Sequence, residues 1–385
     1  MLPIIPRMIG SKEAALGLAQ GDHTLPLRRF SLDSPSTAAP QIAKIADLVA
    51  VGPRVGWPVM SRWLSLVLVV VLTLFFGAPL VAAETVTRPG LALATLDRET
   101  IVRLQIFLDR HDFSPGKIDG RAGEFLVKAL MRFQRAIAVP ITGTLDPELG
   151  IQAVDPVLVP FTLTAKHLAG IGPCPTQPAE QALVSSLPYT SVGEFLAERF
   201  HCSPQFLHLC NPNWIGDDLP VGATVLVPNV EPFKIEQLAQ RGAIGKHPAF
   251  STRRIHVSRA ERMLDLWEGD NLLASYPVTP GGGAVETPAG TWRIVALSPL
   301  PTFRWDRSVL ETGRRSETFF LLPPGPNNPV GVLWCALNRP GIGIHGTDNP
   351  QTIGRATSHG CMRLANWDVV RLAAQITPGV TVHIE

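Results

Sequence analysis

The sequence predicts a multidomain protein in which a small all-α unit, a small α+β unit and a larger, mainly-β unit follow one another. The chain has 385 residues, which is too many for one typical domain. Helical apolar stripes occupy residues 97–150, whereas strand-type patterns dominate residues 252–385. A net charge of +2 without a long basic run indicates that nucleic acid is not a partner.

Residues 60–83 have the layout of a secretory signal peptide. Arg62 gives a basic start, an apolar run extends from Trp63 to Phe76, and Val81-Ala82-Ala83 precedes the expected cleavage site. This run is short for a membrane-spanning helix, although an uncleaved membrane anchor is the alternative. We expect the protein body to be exported to the periplasm or cell wall, with membrane contact only if the segment stays uncleaved.

Residues 1–59 are aperiodic and contain several prolines, and a signal peptide does not ordinarily follow such a stretch. We interpret them as a disordered or wrongly assigned extension. We predict that translation starts at Met60 and that the mature chain begins at Glu84. The alternative is a genuine cytoplasmic tail that precedes a membrane anchor.

Two amphipathic helices are predicted within residues 97–150, and Asp146-Pro147 is expected to open a third. The most telling motifs of this stretch lie in both helices and both turns: Leu104-Gln105, Gly116-Lys117-Ile118-Asp119-Gly120, Ala129-Leu130, Phe133-Gln134 and Thr142-Gly143-Thr144-Leu145-Asp146. With these motifs the stretch resembles the peptidoglycan-binding domain of many cell-wall enzymes. Asp119 and Gln134 are therefore candidate glycan contacts, but loop shaping and helix packing explain them equally well.

Residues 187–229 are predicted to form a strand, two helices and a strand. Ser191 and Glu194 have capping-box spacing at the start of the first helix, and Ser203 precedes Pro204 at the start of the second. The strands are PYTS and ATVLVP. This order, with Asn211-Pro212, resembles a LysM domain, which implies binding to glycans that contain N-acetylglucosamine. We expect both small units to act by avidity, as modules tethered to an enzyme domain.

The chain contains five cysteines: Cys174, Cys202, Cys210, Cys335 and Cys361. Export permits disulfides, but an odd number leaves at least one thiol. A helix of about seven residues between Cys202 and Cys210 places its ends roughly 10 Å apart, beyond the span of a disulfide. A bridge from Cys174 to either of them stays open. Cys335 lies in a buried-type strand and is predicted to be a core residue.

Residues 252–385 read as strands with one helix near the end, which Asn366 is expected to cap. A long, proline-interrupted stretch from Pro299 to Pro326 is predicted to be functional or mobile, because loops of that length are rare in compact domains.

The motif TSHGCMRL, Thr357 to Leu364, contains the candidate nucleophile Cys361, and His345 ends the predicted strand GIGIH. A nearby imidazole can take the proton of a thiol, and we expect a thiolate–imidazolium pair. The N–H groups of His359, Gly360 and Cys361 are candidates for an oxyanion hole. The alternatives are a buried structural cysteine and a metal site, but the latter lacks a further ligand at the usual spacing.

Two motifs carry a second resemblance: Ile344-His345-Gly346-Thr347 and, about a dozen residues later, Ser358-His359-Gly360-Cys361-Met362-Arg363-Leu364. Together they resemble the L,D-transpeptidase catalytic domain, also called the YkuD domain. Thr287-Pro288-Ala289-Gly290 and residues 327–331 match other recurring stretches of that family. The resemblance implies a sandwich-like β fold and cysteine acyl-enzyme chemistry on peptidoglycan stem peptides, with no cofactor or metal.

The resemblance also implies roles for individual residues. Cys361 is the nucleophile, His345 is the general acid and base, and the carbonyl of Gly346 orients the imidazole. His359 and Gly360 build the oxyanion site. We assign Arg363, which can bind a carboxylate bidentately, and Ser358 to substrate binding.

The sequence therefore predicts an exported L,D-transpeptidase that acts on tetrapeptide stems, releases D-alanine and forms a new cross-link. Two alternatives within the enzyme class are an L,D-carboxypeptidase and an enzyme that attaches a lipoprotein to the wall. A third alternative is a peptidoglycan-binding protein with an inactive catalytic domain, which the intact His345 and Cys361 disfavour.

Overall fold

A computed structural model describes residues 90–216, 219–240, 244, 247–282, 285–355 and 360–385. The predicted signal peptide at 60–83 and the stretch 1–59 lie outside the described residues. No helix in the described part of the chain is long and apolar enough to cross a membrane. The described residues all belong to one compact unit, Glu84–Glu385.

The N-terminal unit is built on two helices, α1 (Arg98–Arg110) and α2 (Glu124–Ala136). The predicted apolar stripes form its core, and the carboxylate of Asp97 caps α1 by accepting the N–H of Thr100 at 2.8 Å. The predicted third helix is wrong, because only a 3₁₀ turn, Ile151–Ala153, is present. Gly150 adopts a left-handed conformation with φ of 77° before this turn, which interrupts helical propagation.

Both candidate glycan contacts of this unit are engaged in loop shaping. The buried Gln134 accepts the N–H groups of Thr142 and Gly143 at 3.0 and 2.9 Å. Asp119 accepts the side-chain amide of Gln105 at 3.0 Å and the N–H of its own turn at Arg121 at 3.1 Å. These bonds support the loop-shaping explanation of both residues.

The central unit contains one antiparallel strand pair and four short helices. Its elements are β1 (Leu158–Thr162), α3 (Ala165–Leu168), α4 (Pro178–Gln181), α5 (Val192–Arg199), α6 (Pro204–Cys210) and β2 (Thr224–Pro228). The helix starts agree with the sequence, since Ser191 and Ser203 each accept a backbone N–H of the following helix at 3.1 Å.

The predicted strand PYTS is wrong, because β2 pairs with β1. Thr190 and Ser191 are used at the start of α5 instead. Glu194 accepts the N–H of Thr190 at 2.7 Å, and Ser191 accepts the N–H of Glu194. Groups committed to a helix terminus in this way are not available to a sheet ladder.

An eight-stranded sheet dominates the C-terminal unit, in the order β11-β10-β9-β6-β12-β3-β4-β5. Its strands are β3 (Arg253–Ser258), β4 (Met263–Glu268), β5 (Asn271–Pro277), β6 (Gly290–Pro299), β9 (Leu333–Leu337), β10 (Gly343–His345), β11 (Met362–Arg363) and β12 (Thr381–Ile384). The predicted hairpin between β4 and β5 is present, with Gly269 at φ of 56° in its turn.

Helix α8 (Asn366–Ala374) covers one face of this sheet, where Trp367 and Leu372 join the fully buried strand residues. The long stretch that begins at Pro299 contains a small hairpin, β7 (Phe303–Trp305) with β8 (Phe320–Leu322), and helix α7 (Arg307–Thr312) between them. The function predicted for this stretch stays a prediction.

The two small units pack directly on the C-terminal unit, and the avidity expected of them stays a prediction. Arg132 of α2 binds Asp265 of β4 at 2.8 Å, and Arg371 of α8 binds Asp109 of α1 at 2.9 Å. Asp109 and Asp265 are buried. A charge out of water is costly unless it is paired, so these ion pairs hold the units in a defined arrangement.

All five cysteines lie in the described part of the chain, and the structure shows each as a thiol. A bridge from Cys174 to Cys202 or Cys210 is therefore absent from this structure. Cys335 is fully buried in the sheet core, as predicted, and burial raises the pKa of its thiol.

Candidate active site

The neighbouring parallel strands β10 and β11 place His345 and Cys361 on the same face of the sheet, with Cys361 directly before β11. In the register of β10 and β11, Ile344 lies opposite Met362 and His345 lies opposite Arg363. Ile344 and Met362 are fully buried in the core. Because side chains alternate across a strand, His345 and Cys361 project from the opposite face.

The ring of His345 is held on two sides. Its Nδ1 lies 2.7 Å from the carbonyl oxygen of Gly346, and the indole of Trp334 stacks on it with centroids 5.2 Å apart. Since a carbonyl oxygen can only accept, Nδ1 carries the proton in the neutral ring. The backbone of Val330 makes a further hydrogen bond with the imidazole. Burial lowers the pKa of His345 to about 4, so the imidazole is neutral at physiological pH.

Burial favours the protonated form of the Cys361 thiol. The thiol donates to the carbonyl oxygen of Gly341 at 3.4 Å, and burial raises its pKa to about 11. Burial disfavours the charged form of both Cys361 and His345, and the thiolate–imidazolium pair stays a prediction.

Thr287, the first residue of the motif Thr287-Pro288-Ala289-Gly290, makes hydrogen bonds that hold the backbone around Cys361. Its buried hydroxyl accepts the N–H of Gly281 at 2.6 Å and donates to the carbonyl oxygen of Cys361 at 3.3 Å. A Cβ on Gly281 would lie 2.4 Å from the nitrogen of Gly360, so only glycine permits this approach. These contacts fix the backbone that carries Cys361.

Asn366 is a residue of this region that sequence reasoning misread. Residue Ala365 stands at the N-cap of α8, and Asn366 does not cap that helix. Its Oδ1 instead accepts the N–H groups of Val332 and Thr347, at 3.2 and 3.1 Å. The spacing of Asn366 from Cys361 offers no signal for this role, because its partners are distant in sequence.

The remaining predicted site residues divide into two groups. Arg363 lies at the site, half-buried, with its backbone paired to Thr279 and its pKa lowered by burial. Gly360 adopts a φ of 89° immediately before the nucleophile, a conformation that suits glycine. Ser358 and His359 lie outside the described residues.

A possible set of metal ligands lies elsewhere, on strands β3 and β12. His256, His383 and Glu385 each offer one ligand atom, and these atoms lie within 4.8 Å of one another. Arg254 lines the same surface pocket as His256, His383 and Glu385, and its positive charge opposes the binding of a cation there.

Comparison with known proteins places the C-terminal unit. The family model described as the L,D-transpeptidase catalytic domain matches residues 252–384, and the one described as "Putative peptidoglycan binding domain" matches residues 97–149. A Bacillus licheniformis protein named "Putative L,D-transpeptidase YkuD" is 30% identical over 191 residues, which cover 50% of this chain and 92% of that protein. The chain belongs to the L,D-transpeptidase family.

Two further matches to this L,D-transpeptidase cover smaller shares of both chains. The Escherichia coli protein named "Probable L,D-transpeptidase YbiS" is 39% identical over 133 residues, which cover 34% of this chain and 43% of that protein. The solved structure of an L,D-transpeptidase from Mycobacterium smegmatis is 17% identical with a TM-score of 0.29, and covers 35% of this chain and 58% of that one.

Proposed function

We propose that this L,D-transpeptidase remodels peptidoglycan by a two-step acyl transfer on tetrapeptide stems. The observation that carries the proposal is that β10 and β11 place His345 and Cys361 on the same face of the sheet, with Nδ1 of His345 tied to the carbonyl of Gly346. The neutral imidazole and the protonated thiol are the forms that general-base catalysis requires at its start.

In the first step, the sulfur of Cys361 attacks the carbonyl that joins the third stem residue to the terminal D-alanine. His345 takes the thiol proton and gives it to the leaving nitrogen, so that the C–N bond breaks, D-alanine departs and a thioester remains. In the second step, an amine of another stem attacks the thioester, and its proton returns through His345 to the sulfur. Backbone N–H groups at Gly360 and Cys361 stabilise the oxyanion, and Arg363 binds a substrate carboxylate.

The test is product analysis on purified tetrapeptide muropeptides, with the full exported chain as the enzyme. The proposal expects release of D-alanine together with a cross-linked dimer, and neither with Cys361→Ala. Release of D-alanine with only a shortened stem would identify water as the acceptor and a carboxypeptidase. A protein that binds muropeptides without turnover would be an inactive binding protein.

We further propose that the central unit binds glycans in the manner of a LysM domain, and that the protein is exported to the wall. The strand pair β1 and β2 with α5 and α6 between them supports this proposal. The loop from α6 to β2 exposes apolar side chains for a sugar ring, with Ile215 at 90% exposure. Apolar groups exposed to this extent often mark a binding surface.

Ile215→Ser is expected to weaken sedimentation with intact sacculi and to leave acylation of Cys361 by a carbapenem unchanged. Leu183→Ser is a matched control, because Leu183 is 86% exposed but lies between α4 and α5. Equal sedimentation of the two variants would place the glycan surface elsewhere.

A further inference from the structure

A buried hydrogen-bond chain connects the central unit to the loop that holds the catalytic imidazole. Glu198 in α5 accepts the amide N–H of Asn366 at 3.0 Å through Oε2 and the hydroxyl of Tyr189 at 2.7 Å through Oε1. The three side chains are at most 5% exposed. The bond between Glu198 and Asn366 is therefore shielded from competing water.

The donor and acceptor directions of this hydrogen-bond chain are fixed at Asn366. Its Oδ1 accepts two backbone N–H groups, those of Val332 and Thr347, so its amide nitrogen must face the other way. An amide turned over would direct its own N–H groups at two donors. Glu198 supplies the acceptor that makes the productive orientation the stable one.

The backbone beside Asn366 is the backbone that orients His345. A Cβ added at Gly346 would lie 2.0 Å from Oδ1 of Asn366, so the loop passes as close as glycine allows. The carbonyl of that same Gly346 accepts Nδ1–H of His345 at 2.7 Å. Gly331 packs against the same Oδ1 of Asn366, where an added Cβ would lie 2.1 Å away.

We propose that Glu198 and Asn366 are positioning residues for the acyl transfer, so that the central unit forms part of the active-site scaffold. They act through Gly346 and do not touch substrate. The proposal rests on the proposed function in one respect, namely that His345 serves Cys361 as its base.

The carboxyl group of Glu198 can accept the hydrogen bond from Asn366 whether or not it is ionised. Burial, assisted by the neighbouring carboxylates of Glu194 and Asp348, raises the pKa of Glu198 to about 8. Oε2 has lone pairs for Asn366 in either protonation state, so the contact persists across neutral pH.

The test measures alkylation of Cys361 by iodoacetamide against pH in the full chain, followed peptide by peptide with mass spectrometry. This readout needs no peptidoglycan turnover, so it separates failure of this proposal from failure of the proposed function. Asn366→Asp keeps the acceptor for Val332 and Thr347 but loses the donor to Glu198. We expect roughly 10-fold slower alkylation above pH 8, where Glu198 is ionised and cannot donate a hydrogen bond to the new carboxylate, because small displacements of a catalytic group are costly.

Two rescue variants make the prediction specific. Glu198→Gln retains an acceptor for Asn366 and is expected to alkylate at the wild-type rate. The double variant Glu198→Gln with Asn366→Asp restores the bond in reverse, since the new amide can donate to the new carboxylate at position 366. We expect it to recover most of the rate lost in Asn366→Asp.

Asp109→Asn is the matched control, because it weakens contacts at the other end of α8 without touching the loop at Gly346. Its alkylation profile should equal that of the wild type. Wild-type alkylation in Asn366→Asp, an equal slowing in Asp109→Asn, or no recovery in the double variant would each overturn the proposal. Should Asn366→Asp not fold, Glu198→Ala carries the same expectation of slower alkylation, and an unchanged rate there would overturn it as well.

Discussion

Two buried histidines of this protein stack on tryptophans, yet the partner of Nδ1 differs between them. His201 stacks on Trp367 with ring centroids 5.3 Å apart, and His345 stacks on Trp334 at 5.2 Å. The Nδ1 of His201 lies 3.0 Å from a carboxylate oxygen of Asp109. The Nδ1 of His345 lies 2.7 Å from a neutral backbone carbonyl.

We propose that this difference separates a structural histidine, His201, from a reactive one, His345. Burial would raise the pKa of Asp109, but Arg371 and His201 hold it well below its usual range, so the cluster around His201 is ionic. The carbonyl at His345 supplies no full charge, and burial leaves that ring neutral. A carboxylate partner thus stabilises a domain contact, whereas a carbonyl partner orients a base.

The largest expected effect is on catalysis, and it is tested by removing the imidazole of each histidine in turn. His345→Ala should slow acylation of Cys361 by a carbapenem roughly 10²- to 10⁴-fold, because it removes the general base. His201→Ala should lower the free energy of unfolding but leave the acylation rate per folded molecule unchanged. Stopped-flow acylation and urea denaturation of both variants measure the two effects. A similar loss of rate in both would mean that His201 also supports the site.

The next largest effect is on stability and tests the ionic side of the comparison. Asp109→Ala leaves Arg371 and His201 without their shared carboxylate, and should lower the free energy of unfolding by about 3–5 kcal/mol. Glu99→Ala is the control, because its pair with Arg103 is solvent-exposed on the carboxylate side and should contribute at most about 1 kcal/mol. Equal losses in the two variants would show that the buried cluster does not hold the units together.

The pH dependence of the free energy of unfolding tests whether His345 is buried in its neutral form. The pKa of His345 is about 4 in the folded protein, against an ordinary value of 6.5, so between these values the unfolded chain binds more protons than the folded one. Stability therefore rises with pH through this window and is lost as the pH falls, by on the order of 3 kcal/mol. His345→Gln does not titrate, so its deficit relative to wild type should shrink between pH 6.5 and 4. A constant deficit, measured by urea denaturation, would mean that His345 titrates normally.

The smallest effect concerns the stacking that the two histidines share. Trp334→Phe keeps an aromatic ring on His345 and should change the free energy of unfolding by less than about 1.5 kcal/mol. The acylation rate should stay close to that of wild type, because the carbonyl of Gly346 still holds Nδ1. A large loss of rate would show that the indole, and not the carbonyl, sets the orientation of the ring.

Much of the C-terminal unit could be predicted from local pattern. Strand alternation gave the hairpin at Gly269 and the burial of Cys335, and the motifs around His345 and Cys361 indicated the family that the comparisons confirm. Predictions failed where the deciding partner was remote. A strand was predicted at PYTS, but β2 pairs with Leu158–Thr162 instead. The backbone of Thr190 is used in a hydrogen bond at the start of α5, which outweighs the strand propensity of PYTS.

The sequence by itself determined which residues can do chemistry, since a thiol, an imidazole and a glycine next to them are properties of residue type and spacing. Only the tertiary structure decided their state and support. Burial makes both Cys361 and His345 neutral at rest, and a carboxyl 168 residues away in sequence fixes the amide of Asn366. Desolvation and long-range hydrogen bonds depend on what surrounds a group in three dimensions, and no local pattern records that environment.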